Sequence, residues 1–279
     1  MNTSMITASN TMGQLQKKLD TISNNLANTN TIGYKRREAS FSDLLVQQVN
    51  NQLVHSKEVG RLTPNGIRVG AGAKIAQTAM RLEQGAMQQT ERPLDVALTT
   101  KGTFFEIQVD VAGNPETRYT RDGAFYLSPN ANNPQLLNLV TGQGHYVMGE
   151  NGPIQIPANF KDITISEGGR ISVSLNGGGN VDAGQLAVVR AERPQMLIQM
   201  GENLFGLPEN LAEQGLNVAD IITALGAGEI SMQQGSLEMS NVDMSREMTE
   251  LMMTQRSYQY NARSITMADQ MMGLVNSIR

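Results

Sequence analysis

The two ends of the chain carry the pattern that most restricts its fold. Near the start, apolar residues fall at Met5, Ala8, Met12, Leu15, Leu19, Ile22 and Leu26. The steps alternate between three and four, a heptad seam. The seam runs into Asn24, Asn25, Asn28 and Asn30. Asparagine competes for backbone hydrogen bonds and suits a helix terminus. Gly33 follows and can supply a left-handed stop. Near the other end, Met244, Met248, Leu251, Tyr258, Ala262, Ile265, Met272 and Val275 make a second stripe. Ser240 and Asp243 stand at capping-box spacing ahead of it, with Asp in place of the usual Glu or Gln. The stripe predicts a helix of about 35 residues, roughly 50 Å long. Two amphipathic helices cannot bury such stripes in isolation. Antiparallel pairing with each other is the simplest solution, and it leaves lateral apolar surface for neighbours to cover.

The middle of the chain has a different period. Phe104-Phe105-Glu106-Ile107-Gln108-Val109, Ile163-Thr164-Ile165 and Ile171-Ser172-Val173-Ser174-Leu175 are short runs with period near two. Gly113-Asn114-Pro115, Asp122-Gly123, Asn151-Gly152-Pro153 and the Gly177-Gly178-Gly179 run separate them. Strands with turns at this spacing predict an all-β body. Residues 40–53 read as a candidate helix, and 60–72 as glycine-rich extended chain. The expected fold is α+β. The N- and C-terminal helices pair as a coiled-coil-like helical domain, with a mainly antiparallel β domain inserted. Expected boundaries are 1–36 with 236–279 for the helical assembly domain, 37–92 for a connector and 93–235 for the β-rich domain.

Composition removes several functions. With no cysteine among 279 residues there are no disulfides and no thiolate metal sites. Net charge is −4 and the charges are dispersed, so neither nucleic acid nor insertion into a membrane is expected. No stretch reaches the 18 or so apolar residues of a membrane span. The start lacks the basic and apolar segments of a cleavable leader. His55 and His145 stand alone, without a ligand motif. Glu106 and Asp110 share a strand face at about 13 Å, too far for an inverting glycosidase pair. No catalytic residue, cofactor or metal site is expected. The 17 methionines crowd toward the C-terminus, where a soft packing surface is plausible on composition.

Specific motifs lie within this frame. Ser23-Asn24-Asn25-Leu26-Ala27-Asn28-Thr29-Asn30-Thr31-Ile32-Gly33-Tyr34-Lys35 resembles the N-terminal signature of bacterial flagellar rod and hook proteins. Gly235-Ser236-Leu237-Glu238-Met239-Ser240-Asn241-Val242-Asp243, then Gln255-Arg256-Ser257-Tyr258, resembles their C-terminal signature. Leu94-Asp95-Val96-Ala97-Leu98, Gly102-Thr103-Phe104-Phe105 and Tyr119-Thr120-Arg121-Asp122-Gly123 are similar to their β domain. Thr99-Thr100-Lys101 departs from the glycine-rich turn usual there. Within that family the connector looks most like the distal rod protein, or a Gram-positive paralogue of it.

The resemblance implies a structural subunit of the basal-body rod, polymerising into a helical tube that transmits torque from motor to hook. It implies partners: copies of the chain itself, other flagellar rod and hook subunits, and the flagellar export apparatus. It also implies location in the basal body after export without a cleaved signal peptide. The expected assembly surface comprises Met5, Met12, Leu15, Leu19, Ile22, Asn25, Leu26, Asn28 and Asn30 from the first helix. From the second it takes Met248, Leu251, Gln255, Tyr258, Ala262, Ile265 and Met272. Arg121 reads either as the end of a strand or as one half of an ion pair between subunits. A hook subunit would need a further outer domain, for which this chain is short. A wall-degrading enzyme would need an acid pair or a cysteine–histidine pair.

Overall fold

A computed structural model describes all residues except 1, 44–45, 50–66, 71, 112, 131–132, 202, 209–210, 212–214, 216, 227 and 279. It holds two long helices, α1 (Asn2–Ala27) and α2 (Met244–Ser277), and a large, mainly antiparallel β region between them. Among the described residues no helix is long and apolar enough to cross a membrane. The chain forms two compact units. One comprises Met1–Leu26, Arg37–Ala79 and Met244–Arg279; the other comprises Ala27–Arg36 and Met80–Asp243.

In the first unit the covered positions follow the heptad. On α1, Ala8, Ile22 and Asn25 are buried, and Met5, Met12, Leu15, Leu19 and Leu26 are half-buried. On α2 the covered line is Glu247, Leu251, Thr254, Tyr258, Asn261, Ile265, Ala268 and Met272. Its steps alternate between four and three, as in α1. Met244, Met248 and Val275, expected on the apolar stripe, are exposed instead. Small and polar residues hold the places between the large ones, so hydropathy alone misses half the line. Lys18 lies 3.5 Å from Glu250 and also stands over the Phe41 ring at 5.8 Å. α2 begins at Met244, and the Ser240 hydroxyl accepts a bond from the Val242 N–H at 3.3 Å. The Ser240–Asp243 spacing is therefore a local turn ahead of the helix, not a capping box.

Between the helices this unit contains two-stranded pairings. β1 (Arg37–Asp43) pairs with β4 (Ala73–Met80), and β2 (Val46–Val49) with β3 (Ile67–Gly70). Val46 faces Gly70 and Val49 faces Ile67. The helix expected over 40–53 is thus strand wherever that stretch is described. Its hydropathy shows no period of two, because a ribbon paired on one edge needs no apolar face. Of the extended stretch expected over 60–72, residues 60–66 and 71 lie outside the described residues.

The second unit is built around one large antiparallel sheet. The strands of this unit begin with β5 (Met87–Gln89), β6 (Val96–Leu98), β7 (Thr103–Val111), β8 (Asn114–Thr120), β9 (Phe125–Pro129), β10 (Leu136–Thr141) and β11 (Tyr146–Gly149). The longest hairpin is β7–β8, in register from Phe105–Thr120 to Val111–Asn114. β7 sits at the centre and also pairs with β11 and with Val188–Ala191. Successive side chains on β7 point to opposite faces, so it serves two cores. Phe105 meets Phe125 edge-on at 5.1 Å in the larger core, with Ile107, Val109 and Leu139. Phe104 meets Phe205 at 5.4 Å in the smaller, with Tyr119, Val189 and Ile221. A three-stranded sheet over 160–185 adds Ile163, Ile165, Ile171 and Val173 to the larger core.

Two short strands late in the chain close this unit. Met232–Gln234 pairs with β6, and Ser236–Glu238 pairs with β5. The β body is therefore completed by segments more than a hundred residues downstream of the strands they join. Phe105 is fully buried. Phe105→Ala is expected to cost about 3–5 kcal/mol through lost burial and the cavity left behind. Urea unfolding should show this as a lower midpoint with little change in slope.

Candidate assembly site

The three resemblances, far apart in sequence, meet at one buried ion cluster in the second unit. Glu238 lies between Lys35 and Arg121. Its Oε1 is 2.7 Å from Lys35 Nζ, and its Oε2 is 2.6 Å from Arg121 Nε. All three side chains are 1% exposed. Gly85 N–H also donates to Glu238 Oε1, at 2.8 Å. Lys35 donates a second bond to the Glu83 carbonyl at 2.8 Å. The Arg121 guanidinium donates further to Thr103 O and Oγ1, Leu98 O at 3.0 Å and Thr100 O at 2.9 Å. Every donor of its planar fork is taken. Arg121 thus pairs within its own chain, and the ion pair between subunits is corrected: a side chain so deeply covered cannot reach a neighbour.

Backbone packing brings these charges together. Gly33 has φ of +68°, and a Cβ there would lie 2.6 Å from the Arg121 carbonyl carbon. A Cβ at Gly85 would lie 1.9 Å from the Met239 oxygen. Both contacts need a residue without a side chain. The Gly33 N–H donates to the Glu238 carbonyl at 2.8 Å, and Asn241 accepts from the Arg36 N–H at 2.7 Å. Asn241 also donates to Arg81 and Glu83 carbonyls, each at 2.9 Å. The chain thus enters and leaves this unit side by side.

Electrostatics explains why the cluster is one object. Burial by itself pushes the Glu238 carboxyl up, but Arg121 and then Lys35 outweigh it and hold the group below the ordinary carboxylate range. Burial lowers the Lys35 ammonium; Glu238 opposes this and Arg121 adds to it. Removing the carboxylate would leave two buried cations without an anion.

A second buried polar node lies in the first unit. Asn25, 1% exposed, donates to Arg37 O at 2.8 Å and accepts from Arg37 N at 3.0 Å. It also donates to Glu247 Oε2 at 3.2 Å. One asparagine side chain thereby satisfies both backbone groups of a residue twelve positions on. Asn28 accepts from the Thr31 hydroxyl at 3.1 Å, whereas Asn30 is exposed. Of the other expected positions on α2, Leu251, Tyr258, Ala262, Ile265 and Met272 are half-buried, while Met248 and Gln255 are exposed. In the sequence Lys35 and Glu238 stand only as members of motifs, and Arg121 also as a candidate for an ion pair between subunits. Glu238 alone carried a local signal, a single charge between Glu229 and Asp243, whereas Lys35 adjoins Arg36 and Arg121 adjoins Asp122.

Glu106 and Asp110 stand at the middle and far end of β7. Burial raises the Glu106 carboxyl, and burial with Glu106 raises Tyr119 to about 12. Among the described residues no group of three His, Cys, Asp or Glu side chains could hold a metal ion.

Terminal helices, a β body and a buried charge lock define a structural subunit whose interior is spent on holding itself together. The sequence comparisons identify the class. Residues 5–35 match the flagella basal body rod protein family, 99–173 the flagellar hook protein FlgE/F/G D1 domain, and 233–278 the flagellar basal body rod FlgEFG protein C-terminal family. The flagellar hook-basal body complex protein FlhP of Bacillus subtilis is 46% identical over 99% of both chains. The flagellar basal-body rod protein FlgG of Borreliella burgdorferi is 37% identical over 98% of this chain and 97% of its own. FlgG of Bacillus subtilis is 32% identical over 94% and 93%. The chain belongs to the flagellar basal-body rod protein family. It is a structural component of the flagellar basal body and not an enzyme.

Glu238→Gln is expected to destabilise by about 3–5 kcal/mol, the cost of stranding buried charge. Exchanging all three charges for apolar residues of similar volume should recover most of that loss. The sign with pH follows from the depressed Glu238 carboxyl. Its contribution is complete above the unfolded value of about 4.3 and is lost as pH falls through the folded one. Denaturant titrations of wild type and Glu238→Gln should therefore converge in acid. Asn25→Ala, which removes the amide's bonds to Arg37 and Glu247, should cost about 1–3 kcal/mol by the same measurement.

Proposed function

We propose that this chain is a rod subunit that polymerises head-to-tail into a helical tube carrying torque from motor to hook. One observation carries the reading. α2 keeps Met252, Met253, Tyr260, Met267, Met271 and Leu274 half exposed or more, away from its covered line. A monomer gains nothing from such a face, whereas an array of copies can cover it. Methionine suits a surface that must fit several different neighbours, being unbranched and polarizable. In this reading α1 and α2 pair antiparallel in coiled-coil fashion. Residues 1–36 and 236–279 serve assembly, 37–92 connect, and 93–235 form the outer β body. The seam residues from Met5 to Leu26 and from Leu251 to Met272 set the helix pairing on which neighbouring copies build.

The partners are copies of this chain, other rod and hook subunits, and the flagellar export apparatus. The names of the relatives, FlhP and FlgG, support the rod and hook partners.

Deletion of the gene, followed by electron microscopy of isolated basal bodies, is expected to show truncated rods without hooks. Complete rods carrying hooks would overturn the reading. Leu19→Asp and Ile265→Asp should each abolish swimming while β-sheet circular dichroism persists; normal motility in both would count against the helical role.

A further inference from the structure

Within the second unit, the two ends of β7 differ in a complementary way. At its start lies an open cleft of about 410 Å³. Met80, Leu82, Ala191 and Pro194 supply its apolar lining, and Arg81, Lys101 and Arg190 outnumber Glu83 among its charged groups. Met80, Leu82 and Ala191 belong to the smaller core, so the apolar lining is backed by packed side chains. Lys101 and Arg190 have no ion-pair partner among the described residues.

At the other end of β7 stand Asp110 and Val111. Val111 is 40% exposed. Asp110 accepts one bond, from the Gly113 N–H at 2.9 Å, and pairs with no cation among the described residues. The exposed neighbours Val181 and Asp182 lack that freedom, because Asp182 faces Arg170 at 3.5 Å. The hairpin end thus offers one apolar side chain beside one unpaired carboxylate. The cleft offers an apolar lining beside unpaired cations.

The two cannot meet within one copy. From Thr103 to Val111 the strand covers about 26 Å at 3.3 Å per residue. Between copies they can, and a contact joining unlike surfaces propagates without closing on itself unless the rotation allows a ring. We infer that the β7–β8 hairpin end of one copy seats in the cleft at the start of β7 of the next. Val111 packs against Leu82, Ala191 and Pro194, and Asp110 faces Lys101 and Arg190. The inference rests on the polymer reading and assigns one of its contacts.

The chain has no cysteine, so the contact can be trapped cleanly. Lys101→Cys and Val111→Cys are placed in one full-length chain, produced in cells, and basal bodies are isolated and oxidised. A disulfide needs Cα atoms within about 7 Å. A ladder of dimers, trimers and higher species on a non-reducing gel, absent from either single variant, is the expected result. The chain present in basal bodies but without a ladder overturns this contact and leaves the rod reading standing. Wild-type chain absent from basal bodies overturns both. Should the double-cysteine chain fail to enter, charge exchange decides. Asp110→Lys is expected to lower incorporation at least about tenfold, and adding Lys101→Glu and Arg190→Glu to restore it. Equal incorporation of Asp110→Lys and wild type overturns the contact.

Discussion

Glu238 between Lys35 and Arg121 is the interaction on which the rest of the β-bearing unit depends. A carboxylate taken out of water is costly, and so is each cation. Together, with the Gly85 N–H and a set of backbone carbonyls, they satisfy one another. An apolar trio could be as stable. What the charges add is selectivity. Any packing of the Lys35 and Arg121 segments that leaves Glu238 out strands two buried cations without an anion. The cluster therefore discriminates against misregistered closure by the late strands 232–234 and 236–238, whose short pairings with β6 and β5 carry little register information of their own.

The same economy appears in the helices. α2 buries Glu247 and Thr254 in a line whose other members include Leu251 and Ile265. Thr254 returns its hydroxyl to the Glu250 carbonyl at 2.7 Å, and Glu247 receives the Asn25 amide. Buried polar residues of this kind fix register through their hydrogen bonds. Its outward face is methionine-rich. A helix weakly committed to its own unit and apolar on the outside is suited to finishing its packing in an assembly.

These features fit a protein that carries load. The β body is braced by two cores back to back on one strand, β7, and by a charge lock with no exposed member. The interior resists deformation because it is densely packed and fully hydrogen-bonded at its charged centre. The surfaces are left to select neighbours.

Period and composition alone determined a good deal. Alternating steps of three and four marked both helices, and period-two runs divided by glycine and asparagine marked the β body. The motifs pointed to the family, and relatives aligned over nearly the whole chain agree. Local pattern was enough there because a helix seam and a strand face are both properties of adjacent residues. Residues 40–53 were misread because a ribbon paired along one edge imposes no hydropathy period, and the Ser240–Asp243 spacing was misread because a turn uses the same residues as a cap. The tertiary structure alone decided that Arg121 serves its own chain, that Glu238 is shared by Lys35 and Arg121, and that Asn25 reaches both Arg37 and Glu247. Those partners lie 117, 203 and 222 positions apart in the farthest cases. No local pattern encodes such distances. A buried charge becomes legible only when the fold brings its counter-charge beside it.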